Sequence, residues 1–364
     1  MAKRKEQKDT RNRDTGGLTY TRIKEHVQIA MAANRPVFMW GPPGVGKSAL
    51  CAEIAAERGW RYVDLRMSLL NPVDLRGVPI ADRDSSNTRW LTPSFLPTEP
   101  GVLINFDELN IAPPTVQAAA YQLILDRKCG EYSMPETDCV VVACGNRDCD
   151  RAVTFEMPAP LRNRMVHLEM RADLSAWKDW AFENGIDSRV IGFLNWKEEA
   201  LFAFDPTTHT RGFPTPRSWH MVSDMLQVNP NAADIAELID GAVSPGTGIE
   251  FRSFCKVSSK LPNIESIVVD GKKPEPPEDP SALFALSSGM VYTALAKFGE
   301  ADKKQQVKAA LNIMDYCNKK FQKEFNVLTS KDLARTHLWQ DNRTEIARSP
   351  IGSEWVKKCG RVAL

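Results

Sequence analysis

The chain contains one segment whose residue types and spacing suit the binding of a phosphate chain. It reads Gly41-Pro42-Pro43-Gly44-Val45-Gly46-Lys47-Ser48 and satisfies GxxxxGK[ST], between a short apolar run and a predicted helix that begins at Ser48. The glycines let successive backbone N–H groups face phosphate oxygens, and the helix N-terminus adds partial positive charge. Lys47 is expected to reach the β- and γ-phosphates, and the Ser48 hydroxyl to bind Mg²⁺. The segment, extended to Ala49, therefore predicts an ATP site.

A second group with chemical potential follows another apolar run, Val102 to Phe106. This run ends in the carboxylates Asp107 and Glu108. Asp107 is expected to hold Mg²⁺ through water, and Glu108 to polarise the attacking water as general base. Acidic residues after a strand also often cap the next helix, so the pair alone is a weak signal. Together with the phosphate loop upstream, it indicates a nucleotide-hydrolysing site.

Both groups need a parallel sheet to bring them together. Short apolar runs separated by helical or turn-rich segments predict five strands, at Val37–Trp40, Arg61–Leu65, Val102–Phe106, Val140–Cys144 and Met165–Leu168. Such alternation is typical of a three-layer α/β core with a mostly parallel five-stranded sheet. A helix is also predicted from Tyr20, ahead of the first strand.

Strand signals stop after Arg171, and the rest of the chain is predicted to be helical. Helices are expected around 177–183, 189–196, 216–228 and 232–242, and two more between 281 and 325. The Pro-rich and charged segment 270–280 predicts a linker. The basic residues of 1–17 lack apolar periodicity and indicate a disordered tail, with a weak nucleic-acid or targeting role as the alternative.

Composition narrows the function classes. A formal charge of +1 gives no global attraction to nucleic acid, so that role is disfavoured but not excluded. No signal-like or membrane-spanning apolar segment is apparent, and eight cysteines without a CxxC pair fit reduced thiols; a cytoplasmic protein is expected. The even spacing of Cys139, Cys144 and Cys149 invites a metal reading, but the apolar strand between them disfavours it.

Several further stretches resemble AAA+ ATPases of the MoxR group, from about Thr19 to Phe254. They are MWGPPGVGKSAL, RMSLLNPVDLRGVP, FDELNIAPPTVQAAAYQLILDRKCGEY, VVACGNRDCD, MPAPLRNRMVHLEM and FPTPRSWHMVSDML. The resemblance implies an AAA+ core at 18–170 and an α-helical lid at 171–245. Residues 246–364 lie largely outside it and are expected to form a helical C-terminal extension.

The resemblance also implies roles for three side chains. Asn146 matches the sensor 1 residue that positions the lytic water, although it could merely turn the chain. Arg164 matches the arginine finger that reaches the neighbouring subunit's γ-phosphate; Arg162 could take this role, or either could form a surface ion pair. Arg217 matches the sensor 2 arginine at the start of a lid helix, with an exposed helix face as the alternative.

Two polar turns resemble the hairpin insertions of this family, which touch a client in the ring. One hairpin is expected over 77–91 and the other over 128–137. Contact with a client by Arg83, Asp84 or Tyr132 is a hypothesis, and ordinary exposed turns are the alternative.

Three functional hypotheses follow. The first is a Mg²⁺-ATP-dependent homohexameric ring that remodels a protein client, with a von Willebrand factor A domain protein as the partner that the resemblance implies. An arginine finger acts only inside another subunit's site, which favours self-assembly. The alternatives are a nucleic-acid motor or loader, and a nucleotide-gated scaffold with little turnover; Glu108 and Arg164 argue against the scaffold.

Overall fold

The structure is a computed structural model that describes residues 16–82, 87–150, 157–205, 207 and 211–363, without the side chains of 148, 356 and 358–363. The chain divides into two compact units, residues 1–172 and 173–364, and each is described by itself. Residues 1–15 of the expected basic tail lie outside the described residues.

The first unit is built on a five-stranded parallel sheet. The strands of this unit are β1 (Val37–Trp40), β2 (Arg61–Arg66), β3 (Val78–Ala81), β4 (Thr88–Leu91), β5 (Val102–Asp107), β6 (Lys128–Cys129), β7 (Tyr132–Ser133), β8 (Cys139–Gly145) and β9 (Val166–Glu169). The main sheet has the order β2-β5-β8-β1-β9, and every pairing in it is parallel. All five predicted strands are confirmed, and the non-sequential order requires crossover connections.

Helices cover both faces of this sheet. They are α1 (Tyr20–Ala32), α2 (Lys47–Glu57), α3 (Pro72–Arg76), α4 (Pro114–Asp126) and α5 (Ala159–Arg162). Phe106 and Ala143 belong to the apolar core that also contains Val116 and Leu123 of α4. On the opposite face, Asn105 contacts the Cys51 thiol of α2. Because side chains alternate along a strand, the sheet lies between two helical layers, which confirms the predicted α/β fold class.

Both predicted hairpins are present. β3 pairs antiparallel with β4, and β6 with β7. Arg83 and Asp84, the suggested client contacts of the first hairpin, lie outside the described residues. Tyr132 is 8% exposed and its hydroxyl donates to the Pro97 carbonyl at 2.6 Å, so the hypothesis that it contacts a client is wrong. Its ring fills the core instead of the surface.

The second unit is helical wherever it is regular in the described part. Its helices are α6 (Leu174–Glu183), α7 (Ser188–Trp196), α8 (Pro216–Val228), α9 (Ala236–Val243), α10 (Pro245–Ser258), α11 (Ile264–Val268), α12 (Pro280–Phe298), α13 (Lys303–Lys320), α14 (Lys323–Ala334), α15 (His337–Gln340), α16 (Arg343–Arg348) and α17 (Pro350–Ala363). The switch from strands to helices after Arg171 is therefore confirmed.

A buried polar network joins helices of the expected lid to helices of the expected extension. The Lys178 ammonium lies 2.5 Å from the Asp332 carboxylate, and Asn195 bridges both groups with bonds of 2.9 and 3.1 Å. Lys178 and Asp332 are almost completely buried. Residues 173–364 are thus one compact unit, and a functional boundary at 245/246 stays a prediction. The segment 270–280 is irregular up to Pro280, where α12 begins.

One helix in the described part of the chain, α12, is long and apolar enough to cross a membrane by length and composition alone. The expectation from the sequence concerned an uninterrupted apolar stretch, and Ser287, Ser288 and Gly289 interrupt the apolar run of this helix, although the helix continues through them. More than half of its most apolar window is buried inside the unit, as in the core helix of a bundle.

Candidate functional site

The predicted phosphate loop lies between β1 and α2, at the carboxyl end of the sheet. Gly44 and Gly46 have φ of 78° and 101°, a region that residues with a Cβ rarely adopt. A Cβ at Gly41 would come within 2.9 Å of the Met170 carbonyl oxygen. These glycines are therefore required by backbone shape and by close packing of the loop on the end of β9.

Lys47 closes the loop from inside. It is 9% exposed, and its ammonium donates to the carbonyl oxygens of Gly41 and Pro42 at 2.7 and 3.0 Å. Helix α2 begins at Lys47, and no side chain caps its N-terminus. A helix N-terminus without a side-chain cap presents N–H groups and partial positive charge to an anion. Val45 is buried, Pro43 is half-buried and Ala49 is exposed.

Ser48 and Asp107 meet at the base of this loop. The Ser48 hydroxyl donates to the Asp107 carboxylate at 2.8 Å. Asp107 ends β5, which lies two strands from β1 in the sheet. A hydroxyl and a carboxylate are oxygen ligands of the kind that Mg²⁺ takes together with phosphate oxygens. The residues present therefore fit a Mg²⁺ bound beside a nucleotide.

Glu108 has an unusual backbone and a hydrogen-bonded side chain. Its φ is 57°, and its N–H donates to the Asp107 carboxylate at 3.0 Å. The Ser68 hydroxyl donates to the Glu108 carboxylate. Ser68 follows β2, and the pairing of Arg66 with Asp107 brings the two strand ends together. Left-handed backbone at a non-glycine residue is an uncommon conformation that clusters at functional sites.

Asn146 lies at the carboxyl end of β8, beside the phosphate loop. Its side-chain oxygen accepts from the Lys47 ammonium at 3.3 Å. Its backbone oxygen accepts from the Asn110 amide at 2.8 Å. A Cβ at Gly145 would lie 2.3 Å from the Asn110 side-chain oxygen and 2.6 Å from the Phe38 ring. Asn110 and Gly145 therefore set the position of Asn146 by close packing.

Sequence reasoning missed Ser68 and Asn110. Both lie in stretches that resemble the MoxR group, but neither was given a role there, and each reaches the site through long-range pairing. The available signal was weak: Ser68 follows a predicted strand, and Asn110 follows the Asp107-Glu108 pair by two residues. The order of strands decides which loops become neighbours, and this order cannot be read from local spacing.

A polar cluster around the buried Asn105 side chain lies under the phosphate loop. The Tyr62 hydroxyl donates to the Ser48 carbonyl at 3.2 Å, and Asn105 donates to Tyr62 and to Asp64. Burial raises the pKa of the Tyr62 hydroxyl well above its ordinary value. Burial likewise raises the pKa of the Cys144 thiol, which donates to Asn105. Both groups remain protonated at neutral pH and act as neutral donors.

The cysteine spacing does not correspond to a metal site among the residues that the structure describes. No group of three His, Cys, Asp or Glu side chains there could hold a metal. Cys139 and Cys144 are buried in β8, whereas Cys149 is exposed. Burial raises the pKa of Cys139 to about 11, which keeps it a thiol and not a metal-binding thiolate.

Arg164 lies at the opposite edge of the sheet from the phosphate loop of its own chain. Val166 begins β9 and pairs in parallel with Val37, the first residue of β1. The phosphate loop follows the other end of β1, about 10 Å or more along the strand. The Arg164 guanidinium stacks over the Tyr121 ring at 5.5 Å and donates to its hydroxyl. Arg162 and Arg164 are both exposed.

Arg217 belongs to the second unit, at the first turn of α8. Thr215 caps this helix, and its hydroxyl accepts from the Ser218 N–H at 3.0 Å. A cation in the first turn of a helix is electrostatically unfavourable, and Arg217 is exposed. The fold itself therefore gives no reason for an arginine here. Of the predicted residues, the structure brings together Lys47, Ser48, Asp107, Glu108 and Asn146.

Comparison with known proteins gives limited likenesses. No family model matches the chain. A segment of 112 residues is 37% identical to midasin of Giardia intestinalis, covering 30% of this chain and 2% of the midasin length. The chain therefore corresponds to a small part of that relative.

Solved structures with a similar arrangement overlap only loosely. NtrX from Brucella abortus in complex with ADP is 14% identical at a TM-score of 0.40, covering 89% of this chain and 67% of that one. The RuvB Holliday junction branch migration motor of Thermotoga maritima is 14% identical at a TM-score of 0.36, covering 91% of this chain and 95% of that one. Overlaps this loose carry no argument about function.

Proposed function

We propose that this chain is a Mg²⁺-dependent ATPase of the AAA+ type. The observation that carries the proposal is the convergence of Lys47, Ser48, Asp107, Glu108 and Asn146 at one edge of a parallel sheet. Each of these side chains has a distinct task in phosphoryl transfer, and together they supply phosphate binding, metal binding and a base for the attacking water. A glycine-rich turn without a ligand would not need this set.

Binding of the triphosphate follows from the loop. Its backbone and the N-terminus of α2 supply donors, and Lys47 exchanges its two carbonyl partners for phosphate oxygens. Ser48 and Asp107 would hold Mg²⁺, which neutralises charge on the phosphates when bound. Asn146 can donate and accept at once, so its amide can orient a water next to the terminal phosphate.

Hydrolysis requires a base beside that water. Glu108 supplies a carboxylate at the same edge as Lys47, and Ser68 orients it by hydrogen bonding. The carboxylate takes a proton from the attacking water as the water oxygen bonds to the terminal phosphorus and the bond from that phosphorus to the bridging oxygen of the departing ADP breaks. Removal of such a base typically costs about 10²- to 10⁴-fold in rate, while binding remains.

The position of Arg164 supports a site completed by a second copy of the chain. Its guanidinium lies at the amino end of β9, and its own phosphate loop follows the carboxyl end of β1. An arginine placed there serves charge neutralisation only in a neighbouring subunit. We therefore extend the proposal to a homo-oligomeric ring, with six subunits as the number that the MoxR resemblance implies.

The resemblance supports the finer parts of the proposal. On that basis the ring is cytoplasmic and remodels or activates a protein client, together with a von Willebrand factor A domain protein. Arg217 then couples the helical lid to the nucleotide. The client-facing surfaces would be sought on the β3–β4 hairpin, where Val78, Ile80 and Leu91 are exposed.

The test combines nucleotide binding, turnover and mass. Lys47→Ala should abolish binding of a fluorescent ATP analogue, whereas Glu108→Gln should bind it and lose turnover. Mass photometry of Glu108→Gln with Mg²⁺-ATP should show a species near six times the 40.7 kDa protomer. A parental chain that binds no nucleotide would refute the ATPase proposal; binding with a monomeric mass in every condition would refute the ring.

A further inference from the structure

His167 makes hydrogen bonds through both of its ring nitrogens, although it lies on an exposed part of β9. The Trp40 indole N–H donates to Nδ1 at 2.9 Å. Nε2 lies 2.8 Å from the carbonyl oxygen of Arg162. The two ring planes are 25° apart and their centroids 6.0 Å apart, so the rings meet edge to edge through the hydrogen bond from Trp40. His167 is therefore held in one orientation between Trp40 and the Arg162 carbonyl.

These partners determine which nitrogen carries the proton. An indole N–H can only donate, so Nδ1 must accept. A backbone carbonyl can only accept, so Nε2 must donate. The neutral ring with its proton on Nε2 is the form that satisfies both contacts. The hydrogen bonds therefore run in one direction, from Trp40 through His167 to Arg162.

The two ends of this chain of hydrogen bonds are functionally distinct. Trp40 directly precedes Gly41 of the phosphate loop. The Arg162 carbonyl ends α5 and also accepts from the Met165 N–H at 3.4 Å, across the turn that contains Arg164. Strand register brings the ends together, because Phe38 pairs with His167 and places Trp40 on the same face. His167 lies between the nucleotide loop and the arginine turn.

We propose that His167 is a positioning residue that ties the Arg162–Arg164 turn to the strand that carries the phosphate loop. A shift of Trp40 when the loop closes on phosphates is passed through the His167 ring to the Arg162 carbonyl. Backbone hydrogen bonds close this turn, from the Arg164 N–H to the Leu161 carbonyl and from the Met165 N–H to the Arg162 carbonyl. The turn therefore moves together with that carbonyl. Nucleotide binding in one subunit thereby changes the position of the arginine that enters the site of the next subunit. This last consequence rests on the proposed function.

The experiment is hydrogen–deuterium exchange of the full chain, read in peptides that cover 159–166. The variants are His167→Phe, which keeps a planar ring and removes both hydrogen bonds, and His167→Gln, whose amide can donate and accept. His26→Phe on α1 serves as the control for loss of a histidine. Peptides from α4 report whether each variant keeps its fold.

Without nucleotide, His167→Phe should exchange about fivefold faster in 159–166, which is the effect of losing one ordinary hydrogen bond. His167→Gln and His26→Phe should stay near the parental rate, and α4 should be unchanged in every variant. Equal exchange of all four proteins in 159–166 would overturn the positioning role. Faster exchange in α4 as well would assign the effect to general unfolding and overturn it too.

Adding ADP tests the coupling. In the parental chain, ADP should change exchange in 159–166, and Trp40→Phe or His167→Phe should lose this change while binding a fluorescent ADP analogue within about twofold of the parental affinity. If bound ADP leaves the exchange of 159–166 unchanged in the parental chain, the coupling is overturned. A parental chain that binds no ADP would instead refute the proposed function together with the coupling, and the nucleotide-free comparison would still decide the positioning role.

Discussion

The hydroxyl of Ser68 donates a hydrogen bond to the carboxylate of Glu108, across the ends of two neighbouring strands. The bond places a neutral donor on the side chain proposed as general base. The backbone of Glu108 is in the left-handed region, which sets the direction in which its side chain leaves the main chain. The orientation of the base is therefore shared between a backbone feature and one hydroxyl.

Ser68→Ala is expected to lower kcat for ATP by about tenfold or more, because a hydrogen bond to a charged group contributes about 1.5 kcal/mol or more. KM should change by less than about twofold, since the Ser68 hydroxyl bonds to the proposed base Glu108. Steady-state ATPase measurements give both parameters. Ser68→Thr keeps the hydroxyl and should be near parental; a parental kcat for the alanine variant would contradict the orienting role.

Arg164→Ala is expected to be inactive alone and partly active when mixed with Lys47→Ala. The Arg164 variant retains an intact site, and the Lys47 variant retains an intact arginine, so a productive interface forms between them. ATPase rate should be measured over a titration of the two variants at constant total protein. Arg162→Ala is the matched control and should retain most activity. A stably assembled mixture without activity would exclude action in trans.

Gly145→Ala is expected to destabilise the first unit by about 1–3 kcal/mol, because the added methyl overlaps a buried amide and an aromatic ring. The close atoms are the Asn110 oxygen and the Phe38 ring, 2.3 and 2.6 Å from the new Cβ. Thermal unfolding by circular dichroism should show the loss. Gly246→Ala has open space around its Cβ and should be neutral or slightly stabilising. Equal melting temperatures of Gly145→Ala and the parental protein would contradict this prediction, because the neighbouring side chains would then have moved to accommodate the methyl group.

Asp332→Ala is expected to destabilise the second unit by about 3–5 kcal/mol, because it leaves the buried Lys178 ammonium without its counter-charge. Replacing both residues, Lys178→Met with Asp332→Leu, should recover much of this loss. The free energy of unfolding in urea measures the effect. Glu250→Ala breaks the more exposed pair with Lys197 and should cost less than about 1 kcal/mol.

The Asp332→Ala variant also tests domain organisation, through hydrogen–deuterium exchange. The Lys178–Asp332 pair joins α6 to α14, so it connects the expected lid to the expected extension. Asp332→Ala should therefore loosen both regions together, which exchange in α7 and α12 would report, since Asn195 and Ser288 share the network. Loosening confined to residues after 245 would favour an independent extension.

Much of the fold was predictable because its signals are local. The five strands and the main helices follow from apolar periodicity, and the phosphate loop follows from glycine spacing. Tyr132 shows the limit of this reasoning: a tyrosine in a polar hairpin was expected outside, yet its ring is in the core and its hydroxyl reaches Pro97. Burial of one side chain in a turn depends on what packs over it, which local sequence does not specify.

The sequence by itself determined the chemistry of the site: a lysine and a serine after glycines, two carboxylates after an apolar strand, and arginines further along the chain. Only the tertiary structure decided the neighbours of these groups. The strand order placed Ser68 on Glu108, Asn110 on Asn146 and His167 between Trp40 and Arg162. The physical reason is that residue spacing encodes local geometry, whereas strand pairing depends on contacts between segments far apart in the chain.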